Sequence, residues 1–513
     1  MKTTMTTLVA CLLIAFQALS AQTIVTVPPD VPPNIGGLNT AIEDYLANNG
    51  APTLDVIFQL ESGGRYVLTR SIDYDFPLRI EAEENYTVRP IIQPGIPPGG
   101  GDVFRAFRVR DDLILRGLYI TNEDPSGAVA TQIIRISAAD ARIVVDDCHV
   151  DRGTSSAFRL DDPGNKLFIT NSIISNIYNL ANPGNGRGID ERGNDVDTIW
   201  VENCTFYNLS SRLLRDDGGD INFIRWVNTT CVHLGNRTLN LGDAFEVDVR
   251  NNLFHNYAFM GSGEPGNAAF DLDSVSVDSQ TINISHINWS VDSAKFDSVY
   301  GAINTEAATN PDVDSLFYRS TFNMVSSFFI TLANADSTIT TQNVTFVDAP
   351  EPPSQYVLSF NLDPTNLAPF DEGNGGVGQG ETQLPFDLGY TASFTVTEGG
   401  SDGNPLGDPR WNATTSSIRT PVRMAEPLKL GPNPFREAVT LRYTLDQPSA
   451  VAVEVLDMVG RTVHAFQTPT QPAGTQDLTW NGRLANGSPL PTGHYVVRLR
   501  AGDQVFSAHL LKE

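Results

Sequence analysis

Two short segments hold most of the side chains that could do chemistry. Arg187, Asp190, Glu191 and Arg192 lie one 25-residue step before Arg212, Arg215, Asp216 and Asp217. If the segments stack as neighbouring coils, Asp190 falls over Arg215 and Arg192 over Asp217. Such a checkerboard is at minimum a ladder of ion pairs, each contributing about 0.2–1 kcal/mol. Glu191 over Asp216 stacks two like charges. Calcium, which takes several oxygen ligands, would relieve that with help from Asp217 or Asp220. Arg187, Arg192, Arg212 and Arg215 offer forked donors that fit the carboxylate of an acidic sugar. Tyr178, Tyr207 and Tyr257 would stack on sugar rings if exposed. His233 and His255 recur in coil positions and read as turn residues rather than catalysts.

The elements that must position these residues are repeats. Asn203-Cys204-Thr205-Phe206 returns as Asn171-Ser172-Ile173-Ile174, Asn228-Thr229-Thr230-Cys231 and Asn251-Asn252-Leu253-Phe254, with Asp147-Cys148-His149-Val150 before them. The steps are 24, 32, 25 and 23 residues. Ser320-Thr321-Phe322 and Asn343-Val344-Thr345-Phe346 read as later copies, and the region near Ser285 as a degraded one. Each unit is an apolar strand, a polar turn and another strand, and none can bury its inner face alone. Stacked as a parallel β-helix they bury Ile, Val, Leu and Phe, and the asparagines line up as a ladder. An up-and-down β-sandwich is the competing architecture. The amphipathic segment Leu38 to Asn48, started by Asn39 or Thr40, would cover the open end of the first coil.

The ends of the chain differ from the middle. Lys2, the apolar run Leu8 to Ala18 and the small residues to Ala21 read as a signal peptide. That run is too short to span a bilayer, which needs about 20 residues. Leu8-Val9-Ala10-Cys11 leaves a lipoprotein box as the alternative. Cys148, Cys204 and Cys231 are too few and too scattered for a disulfide framework or a zinc site. The chain carries −26, and residues 425–513 hold eight basic and eight acidic residues, so the negative charge sits in the middle. That field excludes nucleic acid as a partner. It admits neutral ligands or bound divalent cations.

From Leu428 to Glu513 alternating strands with Gly, Pro and Asn turns predict a small antiparallel sandwich. Pro432-Asn433-Pro434-Phe435, Asp457-Met458-Val459-Gly460-Arg461, Trp480-Asn481-Gly482 and Gly493-His494-Tyr495 keep the order of a known module. The segment resembles the type A sorting domain of the type IX secretion system of Bacteroidota. The resemblance implies export by that machinery and release or attachment at the cell surface.

Thr23 to Pro94 resembles secreted pectate-lyase-like β-helix proteins, through Leu38-Asn39-Thr40-Ala41-Ile42, Phe58 to Tyr66 and Leu78-Arg79-Ile80. Gly407-Asp408-Pro409-Arg410-Trp411 resembles the end of a Bacteroidota β-helix family related in architecture to chondroitinase B. The resemblance implies a right-handed helix, and an acidic-glycan lyase would use calcium and a basic residue, here Arg192 or Arg215. The pattern departs from its relatives in lacking an Asp-His pair, Gly-His-Gly and a suitably placed lysine. The expectation is an all-β chain: signal peptide 1–21, β-helix 22–411, linker 412–427 and sorting sandwich 428–513. It would be a secreted or outer-membrane surface protein, monomeric and without a transmembrane segment once mature. Three functions stay open: binding extracellular polysaccharide, calcium-dependent lysis of it, and a structural or adhesive role.

Overall fold

The computed structural model describes residues 22–97, 99, 101–265, 267–270, 280–322, 338–370, 386–390, 399–401, 403–411, 423–424, 428–445, 448–457, 462–484, 487–501 and 504–512. The expected signal peptide, the Gly-rich stretch from Asp371, Met458 to Arg461 and most of the expected linker lie outside these residues. Among the described residues no helix is long and apolar enough to cross a membrane.

The middle of the chain is a solenoid of parallel strands. One inward column runs Phe58, Ile80, Leu115, Val145, Ile169, Val201, Trp226, Val249 and Ile284, each paired in register with the next coil. A second runs Tyr66, Ile92, Ile120, Val150, Ile174, Phe206, Cys231, Phe254 and Trp289. A third runs Ile72, Phe107, Ile134, Phe158, Ile189 and Leu214. All three are buried, and all of their members lie in one continuous core. Like residues stack because each coil presents the same face to its neighbour, about 4.8 Å away.

Corners decide this geometry. Asp147, Asn171, Asn203, Asn228, Asn251 and His286 all hold positive φ, from 50° to 58°. Asparagine and aspartate tolerate that region better than other residues with a Cβ. The amides bond up the column: Asn203 Nδ2 donates to Asn171 Oδ1 at 3.3 Å, and Asn228 Nδ2 to Asn203 Oδ1 at 3.0 Å. His286 is the degraded copy near Ser285. A second column sits five residues on, at Arg152, Asn176, Asn208, His233 and Asn256, again with positive φ. Asn208 Nδ2 donates to Asn176 Oδ1 at 3.2 Å. The two bends isolate a short strand between them, so Val196–Leu209 and Ile221–Leu234 each serve two faces. Asn203→Ala loses both ladder bonds and strains a φ of 56°, so a cost of about 2 kcal/mol is expected. Asn203→Gly loses only the bonds and should cost about half as much, as read from urea unfolding midpoints.

The capping helix runs Gly37–Asn49, slightly longer than expected, with Leu38 and Ile42 buried on the first coils. Neither Asn39 nor Thr40 starts it. Gly36 takes the cap position without a side-chain bond, and Asp30 Oδ1 accepts the Gly37 N–H at 2.9 Å. Asn39 is instead turned inward, where its Oδ1 accepts the Thr69 N–H at 2.9 Å and ties the helix to the helix-capped coil.

Two late copies are corrected. Ser320–Phe322 pairs with Ala268–Phe270, away from the asparagine column. Phe346–Asp348 pairs antiparallel with Asp387–Tyr390, outside the coils, because Val344 and Phe346 are held in a satellite core with Tyr207, Phe386 and Leu388. The helices Ser293–Ala307 and Ser354–Leu362 belong to another satellite core, around Phe259, Tyr356 and Phe370. The C-terminal unit is the expected antiparallel sandwich. Lys429–Gly431, Val439–Leu445 and Gly474–Trp480 form one sheet. Ser449–Asp457, Thr462–Gln471, Gly493–Ala501 and Gln504–Lys512 form the other. Arg423–Met424, inside the stretch expected as linker, pairs parallel with its edge. The unit has its own core around Phe435, Tyr443, Trp480 and Leu499.

Candidate functional site

The charged lattice lies on the outer side of the third strand column. Arg159, Asp190 and Arg215 are register neighbours there. Asp190, almost wholly buried, receives Arg187 at 3.2 Å and Arg215 at 3.3 Å. Asp217 receives Arg215 and, at 3.9 Å, Arg192. Burial pushes the Arg187 guanidinium below its ordinary value, and the Asp190 charge opposes that shift. Arg212 lies half-buried beside the group.

The carboxylates do not gather round a metal. Glu191 accepts the Asn194 N–H at 2.9 Å and the Asp217 N–H. Asp216 accepts the Gly218 N–H at 3.0 Å and the Asp243 N–H at 3.2 Å. Asp220 is exposed, with its own N–H on Asp195 Oδ1. Among the described residues no group of three His, Cys, Asp or Glu could hold an ion. Peptide N–H groups thus satisfy the stacked acids, and the set Glu191, Asp216, Asp217 and Asp220 does not fit calcium. Burial, with Asp216 adding to it, raises Glu191 from an ordinary 4.5 to about 7. An acid raised on folding costs stability once it ionises, so the cost appears between pH ~4.5 and ~7 and is complete above. Wild-type stability should fall through that window relative to Glu191→Gln, measured as urea midpoints across pH.

The basic role proposed for Arg192 or Arg215 is not favoured by this geometry either. An arginine paired to a carboxylate, as both are, braces or binds; it does not accept protons. Tyr207 and Tyr257 are buried and Tyr178 is half-buried, so the three do not form an open sugar-stacking platform. Tyr207 is 1% exposed, with its ring 4.6 Å from Phe386. Tyr257 packs edge-on to Trp289 and Tyr178 stacks on Phe370. His233 is a turn residue at φ 60°, as expected, whereas His255 lies in a strand against Phe346 and Ser290.

What hides Tyr207 is the returning chain. The Gly407 N–H donates to Asn251 O at 2.8 Å and the Asp408 N–H to Thr230 Oγ1 at 2.8 Å. Thr205 Oγ1 donates to Asp408 Oδ2 at 2.7 Å, and Arg410 Nη2 to Asn171 O at 2.6 Å. Gly407 has φ 90°, and a Cβ there would lie 2.4 Å from Thr230 Oγ1. Gly407 to Trp411 is therefore a clasp across four coils rather than a site.

Two groups escaped the sequence reading. Tyr119 Oη, Ser175 Oγ and Asn176 Nδ2 all donate to Asp151, at 2.5, 2.6 and 2.8 Å, and His149 Nε2 meets Ser175 Oγ at 2.7 Å. The aspartate accepts from the serine rather than orienting the histidine, and the residues are buried, so this is a brace and not a nucleophilic triad. The other group is a cavity of about 670 Å³ lined by Arg105, Arg108 and Arg135. Its signal was legible: Phe107-Arg108-Val109, Ile134-Arg135-Ile136 and Phe158-Arg159-Leu160 repeat apolar-Arg-apolar one coil apart.

Comparison with known proteins bears on the C-terminal unit. Residues 435–504 match the FlgD Ig-like domain family. No curated protein is similar enough to the chain to count as a match. Two solved structures from Porphyromonas gingivalis share short stretches with it. Latent dimeric PorU is 21% identical over 17% of this chain and 9% of its own, with a TM-score of 0.15. PorZ, described as a surface component of the type IX secretion system, is 20% identical over 22% of this chain and 14% of its own, with a TM-score of 0.14. The chain spans a small fraction of either protein.

Proposed function

We propose that the chain is a surface protein exported by type IX secretion, whose β-helix binds acidic extracellular polysaccharide. The observation that carries the export half is the C-terminal sandwich. It has its own core, matches an Ig-like family, and has Trp480 and Gly493 of the sorting motifs at strand ends. The binding half rests on the outer face from Arg159 to Arg215, where Arg187, Arg192 and Arg212 gather beside the register neighbours Arg159, Asp190 and Arg215 and offer forked donors that suit carboxylates. Lysis is not favoured, since Arg192 and Arg215 are both paired to carboxylates.

The test has two arms. In the producing cell, removing residues 428–513 should leave the protein in the periplasm, and normal surface display without them would overturn the export reading. Purified chain should bind polygalacturonate or alginate, weaken by about tenfold in Arg192→Ala or Arg215→Ala, and release no unsaturated product absorbing in the ultraviolet. Binding to neutral glycans alone would contradict the acidic reading.

A further inference from the structure

The outer face that bears the charged lattice continues towards the first coils, where its character changes. Asp73, Arg108, Arg135, Arg159, Asp190 and Arg215 are consecutive register partners on one outer column. Three arginines in succession is an arrangement that strand pairing disfavours unless countercharges intervene. One carboxylate does intervene. Asp161 receives both Arg135 and, at 2.6 Å, Arg159. Among the described residues Arg108 bonds the Ser137 hydroxyl, at 3.4 Å, and Asp73 is taken by Arg110. Among the described residues no carboxylate pairs with Arg108 or with its neighbour Arg105.

These two guanidiniums line the 670 Å³ cavity together with Arg135, Ser71, Thr131 and Phe104, and with the carboxylates Asp73 and Asp102. That volume lies within the range of about 300–1,000 Å³ typical of small-molecule sites. Burial and then the charges of Arg135, Arg108 and Arg159 push the Arg105 guanidinium below its ordinary value. Three guanidiniums against two carboxylates, of which Asp73 is paired to Arg110, leave a net positive, concave and partly desolvated place on a chain whose net charge is −26. Such a place attracts anions selectively, because the rest of the surface repels them.

We propose that this cavity is an anion-binding subsite that takes a saccharide unit bearing a carboxylate or sulfate, held by Arg105 and Arg108. The assignment rests on the polysaccharide reading above and names a second place on the same face where the polymer is gripped. The guanidinium forks bond the two oxygens of the anionic group, the Ser71 and Thr131 hydroxyls, which already donate to Arg105 O and Gln132 Oε1, accept from neighbouring sugar hydroxyls, and Phe104 supplies an apolar wall.

The test is calorimetric titration of the full chain with trigalacturonate, with neutral cellotriose and with inorganic sulfate. Trigalacturonate should bind, cellotriose should not, and affinity should fall as salt rises. Arg105→Ala and Arg108→Ala should each weaken trigalacturonate by about tenfold or more, and Arg108→Lys should fall between, since it keeps the charge and loses the fork. Neither alanine variant should lower the thermal midpoint, because each removes an uncompensated charge. A lowered midpoint would mark the arginines as structural and overturn the proposal. So would unchanged trigalacturonate affinity in the folded variants. If uronic polymer binding responds only to Arg192→Ala, the polysaccharide reading stands and the subsite falls. If sulfate binds in an Arg108-dependent way while no saccharide binds, the anion site stands, and its saccharide assignment falls with the polysaccharide reading.

Discussion

Arg225→Ala is expected to lower the unfolding free energy of the β-helix by about 3 kcal/mol. Arg225 lies on the outer side of the first strand column yet is only 4% exposed. Its Nη1 donates to Asp248 at 2.6 Å, its Nη2 and Nε to Glu202 at 3.1 and 3.2 Å, and its guanidinium sits 4.8 Å above the Trp200 ring. Burial pushes the Glu202 carboxyl up, but the Arg225 charge and hydrogen bonds outweigh burial and hold it below the usual range. Removing Arg225 takes the countercharge from Glu202, which keeps the Trp200 Nε1–H at 3.0 Å, whereas Asp248 keeps Arg250 at 3.0 Å. That is why the lower end of the ~3–5 kcal/mol range for breaking a buried pair applies. A group held low on folding contributes stability above its unfolded pKa, so this contribution fades as pH falls through the acid range. Removing all the charges together, in Arg225→Met with Glu202→Gln and Asp248→Asn, should restore much of the loss. Urea unfolding followed by tryptophan fluorescence measures both, and equal losses in the single and triple variants would contradict the ion-pair account.

Trp226→Ala should cost more, about 4–5 kcal/mol. Trp226 is among the largest fully buried side chains, standing between Val201 and Val249 in the inward column with its ring 5.2 Å from Phe206. Coils above and below fix the backbone by register, so the wall of the cavity left behind cannot collapse far. Its indole N–H has no partner among the described groups. Trp226→Phe therefore removes an unsatisfied donor along with some volume, and should cost under about 1.5 kcal/mol. A similar loss for the two substitutions, by the same unfolding measurement, would mean that the N–H and not the ring volume matters at this position.

The asparagine column was legible because a left-handed corner admits few residue types and the inward strand follows it at fixed distance. The second column was not, since Arg152 and His233 stand where Asn176 and Asn208 mark the corner, and these residues break the pattern to the eye. The pairing of Asp190 with Arg215 follows from the 25-residue step alone, as a register relation. What the step could not reveal is that peptide N–H groups would reach Glu191 and Asp216, because their turns are set by Gly193 and Gly218 rather than by the strands. Nor could it reveal the burial of Tyr207, which depends on chain that returns from nearly 180 residues further on. Satellite cores of this kind come from non-repeating sequence, where a period carries no information. The arginine column is harder to see because Arg108 and Arg135 lie before Asp147, in coils that carry no asparagine corner to set the register.

All of these expectations need successive coils to be directly superposed. A crystal structure of the full chain measures this through the Cα separations along Asn171, Asn203, Asn228 and Asn251. Three consecutive steps of about 4.8 Å are the predicted result. A separation near twice that at any step, or asparagines on different faces, would contradict it and undo the placement of both arginine groups.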